Sequence, residues 1–235
     1  MNTISQGRIF LSKQRSIIES DRIKRYSTFN FEGLQNPAKE AIGNLYAIHD
    51  DTLNPNSDFN FYTRQQGYIF IVPISGNISY VDEQKNETLV EVRKSLLVYL
   101  DKNAYIQLKN RYQEKTINYL MVALKSDEIP QRSLTLLDID LSQPNYLQNI
   151  SAVSSAFKIG VGRYKNRGNT KYAINSISIL YCFVLAGSFE IDGRILNDRD
   201  GIALSTTEVI EIEALSDNAM LLTIELLPRT SHILF

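Results

Sequence analysis

Apolar and polar positions along this chain recur in short runs bounded by turn residues, not in helical stripes. Residues 68–74 (YIFIVPI) are apolar throughout, end on the turn sequence Ser75-Gly76-Asn77, and give way to the alternating stretch 78–81 (ISYV). Pro73 predicts an edge or a bulge at its position, because proline has no N–H to give to a ladder. After the polar loop 82–88, residues 89–92, 95–100, 105–108 and 116–124 each have the length and β-branched content of a strand. The second half repeats the rhythm: 172–174, 177–186, a Gly187-Ser188 turn, 189–191, an Asp192-Gly193 turn, then 202–204, 208–214 and 219–227. Clean alternation in Val209-Ile210-Glu211-Ile212-Glu213 predicts a strand with one wet face. One short helix is predicted over 36–42, where Asn36 can cap, Pro37 suits the first helical position and Gly43 can end it.

The two halves share an order of apolar strand, glycine turn and return strand (IVPISGNISYVD and FVLAGSFEIDG), which predicts an internal duplication. The expectation is an all-β protein of two barrels or sandwiches in tandem with few short helices. Residues 125–148, with Pro130, Pro144 and many polar positions, read as the link between them. The predicted division is an N-terminal domain over 1–128, a connector over 129–150 and a C-terminal domain over 151–235.

Composition narrows the chemistry. The 235 residues hold 25 Lys+Arg against 26 Asp+Glu, a net charge of −1 that removes the simplest case for direct nucleic-acid binding. Two histidines are too few for most metal centres, and one cysteine, Cys182, cannot close an intramolecular disulfide. The opening residues MNTISQGRIFLSK put polar and charged groups where a signal peptide needs apolar ones, so a cytoplasmic location is expected. No apolar run is long enough to span a bilayer as a helix, and no membrane role is expected. The basic stretch 8–25 (Arg8, Lys13, Arg15, Arg22, Lys24 and Arg25 against Glu19 and Asp21) reads as a solvated face or as a surface for an acidic partner. A Gly-rich phosphate loop, a Ser-His-Asp arrangement and a Cys-x-x-Cys pair are all missing, which excludes the enzyme classes built on them. Cys182, in an apolar strand without a neighbouring cation, reads as inert, with a redox switch as the alternative, and His232 as an exposed terminal residue. His49, beside Asp50 and Asp51, reads as a hydrogen-bonding residue, with a catalytic dyad as the alternative.

Two N-terminal segments, Tyr26-Ser27-Thr28-Phe29-Asn30-Phe31 and Asn44-Leu45-Tyr46-Ala47-Ile48-His49-Asp50-Asp51, resemble the TFSF and LRVINDD segments of the pirins and the bacterial pirin-like quercetin 2,3-dioxygenases, which are bicupins. Asp58-Phe59 and the strand ending in Ser75-Gly76 are similar to that family's run from Gly-Phe through His-Pro-His-Arg to Glu-Gly. Residues 183–193 resemble the hairpin of its second cupin, and 200–204 (DGIAL) its DGLAIW strand. The resemblance implies two jelly-roll barrels, dioxygenase activity, and iron or another divalent metal held by a His-x-His pair, a third His and a Glu. Counted back from Gly76, the His-x-His positions fall on Tyr62 and Arg64. Counted back from 119–122, the His-x-Glu positions fall on Ile106 and Leu108. All four implied ligands are replaced, and an arginine there sets a permanent positive charge where a cation must sit. No metal and no cofactor are therefore expected, and metal-dependent oxygenase chemistry is expected to be lost.

What the resemblance leaves is a metal-free N-terminal pocket of Tyr62, Arg64, Tyr68, Ile106, Leu108 and Asn110, with Gln65 and Gln66 beside it. Arg64 could clamp a carboxylate or phosphate and Tyr62 could stack on a ring. The reading favoured by the residues is plainer: they fill a vacated site, with Arg64 solvated at its rim. The expected function is small-molecule binding, or a regulatory role with a protein partner. The alternative is a quercetin 2,3-dioxygenase-type or cofactor-free enzyme acting in that pocket.

Overall fold

The computed structural model describes residues 6–30, 36–150, 156–175, 177–205 and 209–227. Phe31, Glu208 and His232 lie outside the described residues. The chain is all-β and forms two compact units, one of residues 14–139 and one of residues 1–13 with 140–235. Among the described residues no helix is long and apolar enough to cross a membrane.

The unit of residues 14–139 is a sandwich of two antiparallel sheets. Its larger sheet runs in the order Leu134–Asp138, Lys94–Leu100, Gly67–Ser75, Ile117–Lys125, Leu45–Leu53, Ile23–Ser27 and Ser16–Glu19. The smaller has Asp58–Tyr62, Tyr105–Lys109, Ile78–Val81 and Glu87–Val90. Alternate side chains of both sheets meet in one core, with Ile69, Ile71, Leu96 and Met121 from the first against Phe61, Tyr80, Ile106 and Leu108 from the second. The turn at Ser75-Gly76-Asn77 carries the chain from one sheet to the other instead of closing a hairpin, and Gly76 holds φ at +81° there. Pro73 sits at a register shift against Asn118 and Tyr119, which is the bulge its missing N–H predicts. The helix expected over 36–42 is one 3-10 turn, Pro37–Lys39, whose Asn36 cap accepts from the Ala38 N–H at 2.9 Å.

The second unit repeats the plan. A six-stranded sheet runs Gln6–Phe10, Gly201–Ser205, Ile179–Ala186, Ala219–Leu226, Phe157–Tyr164 and Tyr146–Asn149. A four-stranded one runs Asn169–Ala173, Val209–Ala214, Phe189–Ile191 and Arg194–Leu196. Gly187, at φ +78°, makes the same passage between sheets as Gly76. Asp192 and Gly193, both at positive φ, close a true two-residue hairpin between Ile191 and Arg194.

The division differs from the expected one at two places. Gln6–Phe10 pairs antiparallel with Gly201–Ser205, so the first strand belongs with the C-terminal half and not with an N-terminal domain over 1–128. Nearby, the Ser12 N–H donates to Asp200 Oδ1 at 2.6 Å. The expected connector over 129–150 is itself ordered into strands, Leu134–Asp138 on the first unit and Tyr146–Asn149 on the second.

Candidate functional site

In the unit of residues 14–139 the strand Ile23–Ser27 buries alternate side chains, Ile23, Arg25 and Ser27. Its neighbour Leu45–Leu53 sets Asp51 opposite Arg25 and His49 opposite Ser27. This register brings a charged pair into the core. The Arg25 guanidinium donates from Nε to Asp51 Oδ1 at 2.8 Å and from Nη2 to Oδ2 at 2.6 Å, a two-pronged bond between side chains 1% and 0% exposed. Its Cζ lies 4.3 Å from the centre of the Phe59 ring and 5.9 Å from that of Phe61. Tyr119, opposite Asp51 on the next strand, has its phenol pushed well above the usual range, first by burial and then by the Asp51 charge.

His49 Nδ1 and the Ser27 hydroxyl lie 2.9 Å apart, and the imidazole meets Phe61 edge-on at 6.4 Å. Burial holds its pKa well below the ordinary histidine value, with the charges of Arg25 and Arg64 acting in the same direction. His49 is therefore neutral near pH 7, and its hydrogen bond to Ser27 fits the structural reading better than the dyad. Asp50, one residue on, points to the other face, where it accepts from Arg15 Nη1 at 2.9 Å and from Asn118 Nδ2 at 2.8 Å. The tandem acids each carry an arginine, on opposite sides of one sheet.

The six residues expected to line a pocket are not brought together. Tyr62 ends its strand 62% exposed, with its ring 5.2 Å from Tyr105. Arg64 is exposed in the following bend. The side chains that enter the core from this segment are Phe59 and Phe61, which pair with Leu108 and Ile106. Tyr68 is buried, but the core-facing residues of its strand are Ile69 and Ile71; it packs edge-on against Tyr99 at 5.1 Å. Ile106 and Leu108 are fully buried in the core. Asn110 is structural: its Nδ2 donates to the carbonyls of Leu53, Asn54 and Lys115, and its Oδ1 accepts from the Tyr112 N–H. The pairing register puts even-numbered residues of Asp58–Tyr62 on the outer face, so Tyr62, one of the two positions reached by the count back from Gly76, does not face the core.

These residues do not fit a divalent cation. The inward positions at the implied ligand strands are Phe59, Phe61, Ile106 and Leu108, none with a lone pair to offer a hard or borderline metal ion. The Asp51 carboxylate, brought to this core by the strand Leu45–Leu53 of the facing sheet, is already engaged on both oxygens by Arg25. Among the described residues no three His, Cys, Asp or Glu side chains are grouped as a metal site.

The basic stretch 8–25 is not one surface. Arg8 and Lys13 belong to the other unit, Arg15 is nearly buried on Asp50, and Arg25 is in the core. Arg25 is the residue that sequence reasoning missed. Its only signal is parity, since it shares the two-residue period of Ile23 and Ser27.

The second unit has its own buried acid. Glu225, 2% exposed, accepts from Lys158 Nζ at 3.0 Å and from the Tyr172 hydroxyl at 2.8 Å, while Lys158 is 48% exposed. Burial, then the bond to Glu225, pushes the Tyr172 phenol up. Cys182 is wholly buried and burial alone raises its thiol, which keeps it protonated and unreactive. An open groove of about 250 Å³ on the smaller sheet is lined by Lys171, Glu190, Asp192, Glu211 and Glu213. Its charges largely answer one another, with Lys171 on Glu211 at 2.9 Å and Arg167 on Glu213 at 2.8 Å.

Residues 144–226 match the family described as the quercetinase C-terminal cupin domain. A Pasteurella multocida protein that carries the provisional name of a quercetin 2,3-dioxygenase is 20% identical over 210 residues, 85% of this chain and 90% of that one. Among solved structures, Escherichia coli YhhW aligns with a TM-score of 0.82 at 14% identity, over 97% of this chain and 100% of its own. The same bacterial pirin in complex with nickel(II) aligns with a TM-score of 0.83 at 15% identity, over 95% and 100%.

Proposed function

We propose, from the premise that this chain is a pirin-like protein of two cupin barrels, that it is a metal-free binding or regulatory module whose partner meets the outer surface of the first barrel. One observation carries this reading. At the strands where the resemblance implies metal ligands, the core receives Phe59, Phe61, Ile106 and Leu108, and the Asp51 carboxylate facing them is held by Arg25. A pirin-type oxygenase needs several nitrogen and oxygen donors converging on one point, and these side chains offer none. Outside, Tyr62 and Arg64 present an aromatic face and a guanidinium close together in sequence, the side-chain types that anchor many interfaces. A small molecule at that rim is the second reading, since the guanidinium would pair with a carboxylate or phosphate.

Native mass spectrometry of freshly purified protein, before and after incubation with equimolar nickel(II), tests both. The expected spectrum has the mass of the bare chain, unchanged by nickel. A nickel adduct at one per chain would contradict the proposal and restore the oxygenase. An organic adduct present in wild type and lost in Arg64→Ala would favour the small-molecule reading over the protein partner.

A further inference from the structure

We infer that the Arg25 guanidinium is the resident cation of the first barrel, a charge supplied by the chain itself from the facing sheet, against the strands where the resemblance implies a metal ion. This rests on the metal-free reading above and says what replaces the metal. The guanidinium stacks on Phe59 and Phe61, whose strand partners are Leu108 and Ile106, two of the positions onto which the implied ligands fall. It also satisfies the Asp51 carboxylate, fully buried on the same side of its sheet, through two bonds of 2.8 and 2.6 Å.

Charge counting makes the assignment specific. With His49 and Tyr119 both neutral, the buried cluster sums to zero, one guanidinium against one carboxylate. A divalent ion entering beside Arg25 meets a fixed like charge in a medium that screens poorly. Removing Arg25 alone strands a buried anion, and removing Asp51 alone strands a buried cation. Each is far costlier than removing both, because the pair's own attraction is what offsets its desolvation. A guanidinium is suited to this place: it cannot lose its proton, it is weakly hydrated, and its planar fork matches a carboxylate while its faces stack on rings.

The test is thermal unfolding of the full chain as wild type, Arg25→Met, Asp51→Asn and Arg25→Met/Asp51→Asn, each with and without nickel(II). Each single substitution is expected to lower the Tm of the first unit by about 10 °C or more. The double variant is expected to be more stable than Asp51→Asn alone, the non-additivity that marks a coupled pair. If Arg25→Met does not fold, the order of Asp51→Asn and the double variant still decides. A double variant less stable than Asp51→Asn overturns the inference, because Arg25 would then serve only to fill space; a nickel-insensitive wild type would leave the metal-free reading standing in that case. A saturable rise of wild-type Tm with nickel overturns the metal-free reading and the inference with it.

Discussion

Each barrel has a deeply buried strand acid, Asp51 in the first and Glu225 in the second, and the two are neutralised in opposite ways. In the first, Asp51 is answered by a guanidinium as deeply buried as itself. In the second, Glu225 is answered by Lys158, which stays half in water, and by the Tyr172 hydroxyl. The difference is one of screening. A lysine at the mouth keeps part of its hydration and can swing away, so its bond to Glu225 is adjustable. The Arg25 pair has no water to fall back on, and neither partner can be removed without leaving the other stranded. The first barrel is a closed electrostatic unit; the second keeps its charge within reach of solvent.

The largest expected effect separates them directly. Asp51→Asn should cost about 3–5 kcal/mol, as breaking a buried ion pair does, whereas Glu225→Gln should cost about 1–2 kcal/mol, because its amide still accepts from Tyr172 and Lys158 turns to water. Chemical denaturation of the two variants against wild type measures both, and equal costs would erase the contrast.

A smaller effect comes from the neutral imidazole. His49 is held well below the usual pKa near 6.5, so the folded state takes up its proton later than the unfolded state as pH falls. Its contribution is therefore complete above about pH 6.5 and is lost below it, by up to about 1.4 kcal/mol per pH unit. His49→Gln, which can still bond the Ser27 hydroxyl, should lose less Tm than wild type between pH 7.5 and 5.5. A parallel fall in both proteins would mean that the carboxylates alone set the acid limb. The smallest effect is expected at the rim: Tyr62→Ala and Arg64→Ala should each change unfolding stability by no more than about 0.5 kcal/mol, as exposed positions do. A loss of several kcal/mol would place one of them in the core after all.

Much of the fold is legible in the sequence because its strands are apolar enough to announce themselves. The strands Ile78–Val81 and Phe189–Ile191, the Asp192-Gly193 hairpin and the bulge at Pro73 all follow from local residue chemistry. Phe157–Tyr164 escapes notice because Gly160 and Gly162 interrupt its pattern; the structure needs them, since a Cβ at Gly160 would lie 2.6 Å from Thr223 Oγ1 and one at Gly162 2.8 Å from the Tyr146 carbonyl oxygen. The partnership of Gln6–Phe10 with Gly201–Ser205 is a long-range pairing that no local pattern encodes.

The site was less legible for a different reason. Counting along a family's motif proposes a position but says nothing of which way it faces, and the faces are set by pairing. One residue of parity moves a side chain from core to solvent, and that is the distance between Phe61 and Tyr62. Arg25 was hidden by its company, six basic residues in an eighteen-residue stretch from Arg8 to Arg25 that read as a solvated face. Only one neighbour on its inner face, Ile23, is apolar, so the period of two was too faint to show it pointing inward.

The most direct test of Arg25 as the resident cation is a crystal structure of the wild-type protein soaked in nickel(II), with an anomalous difference map collected at the nickel edge. The expected map has guanidinium density closing on both oxygens of Asp51 and no anomalous peak inside the first barrel. A peak there coordinated by Asp51 or His49, with Arg25 displaced, would contradict it.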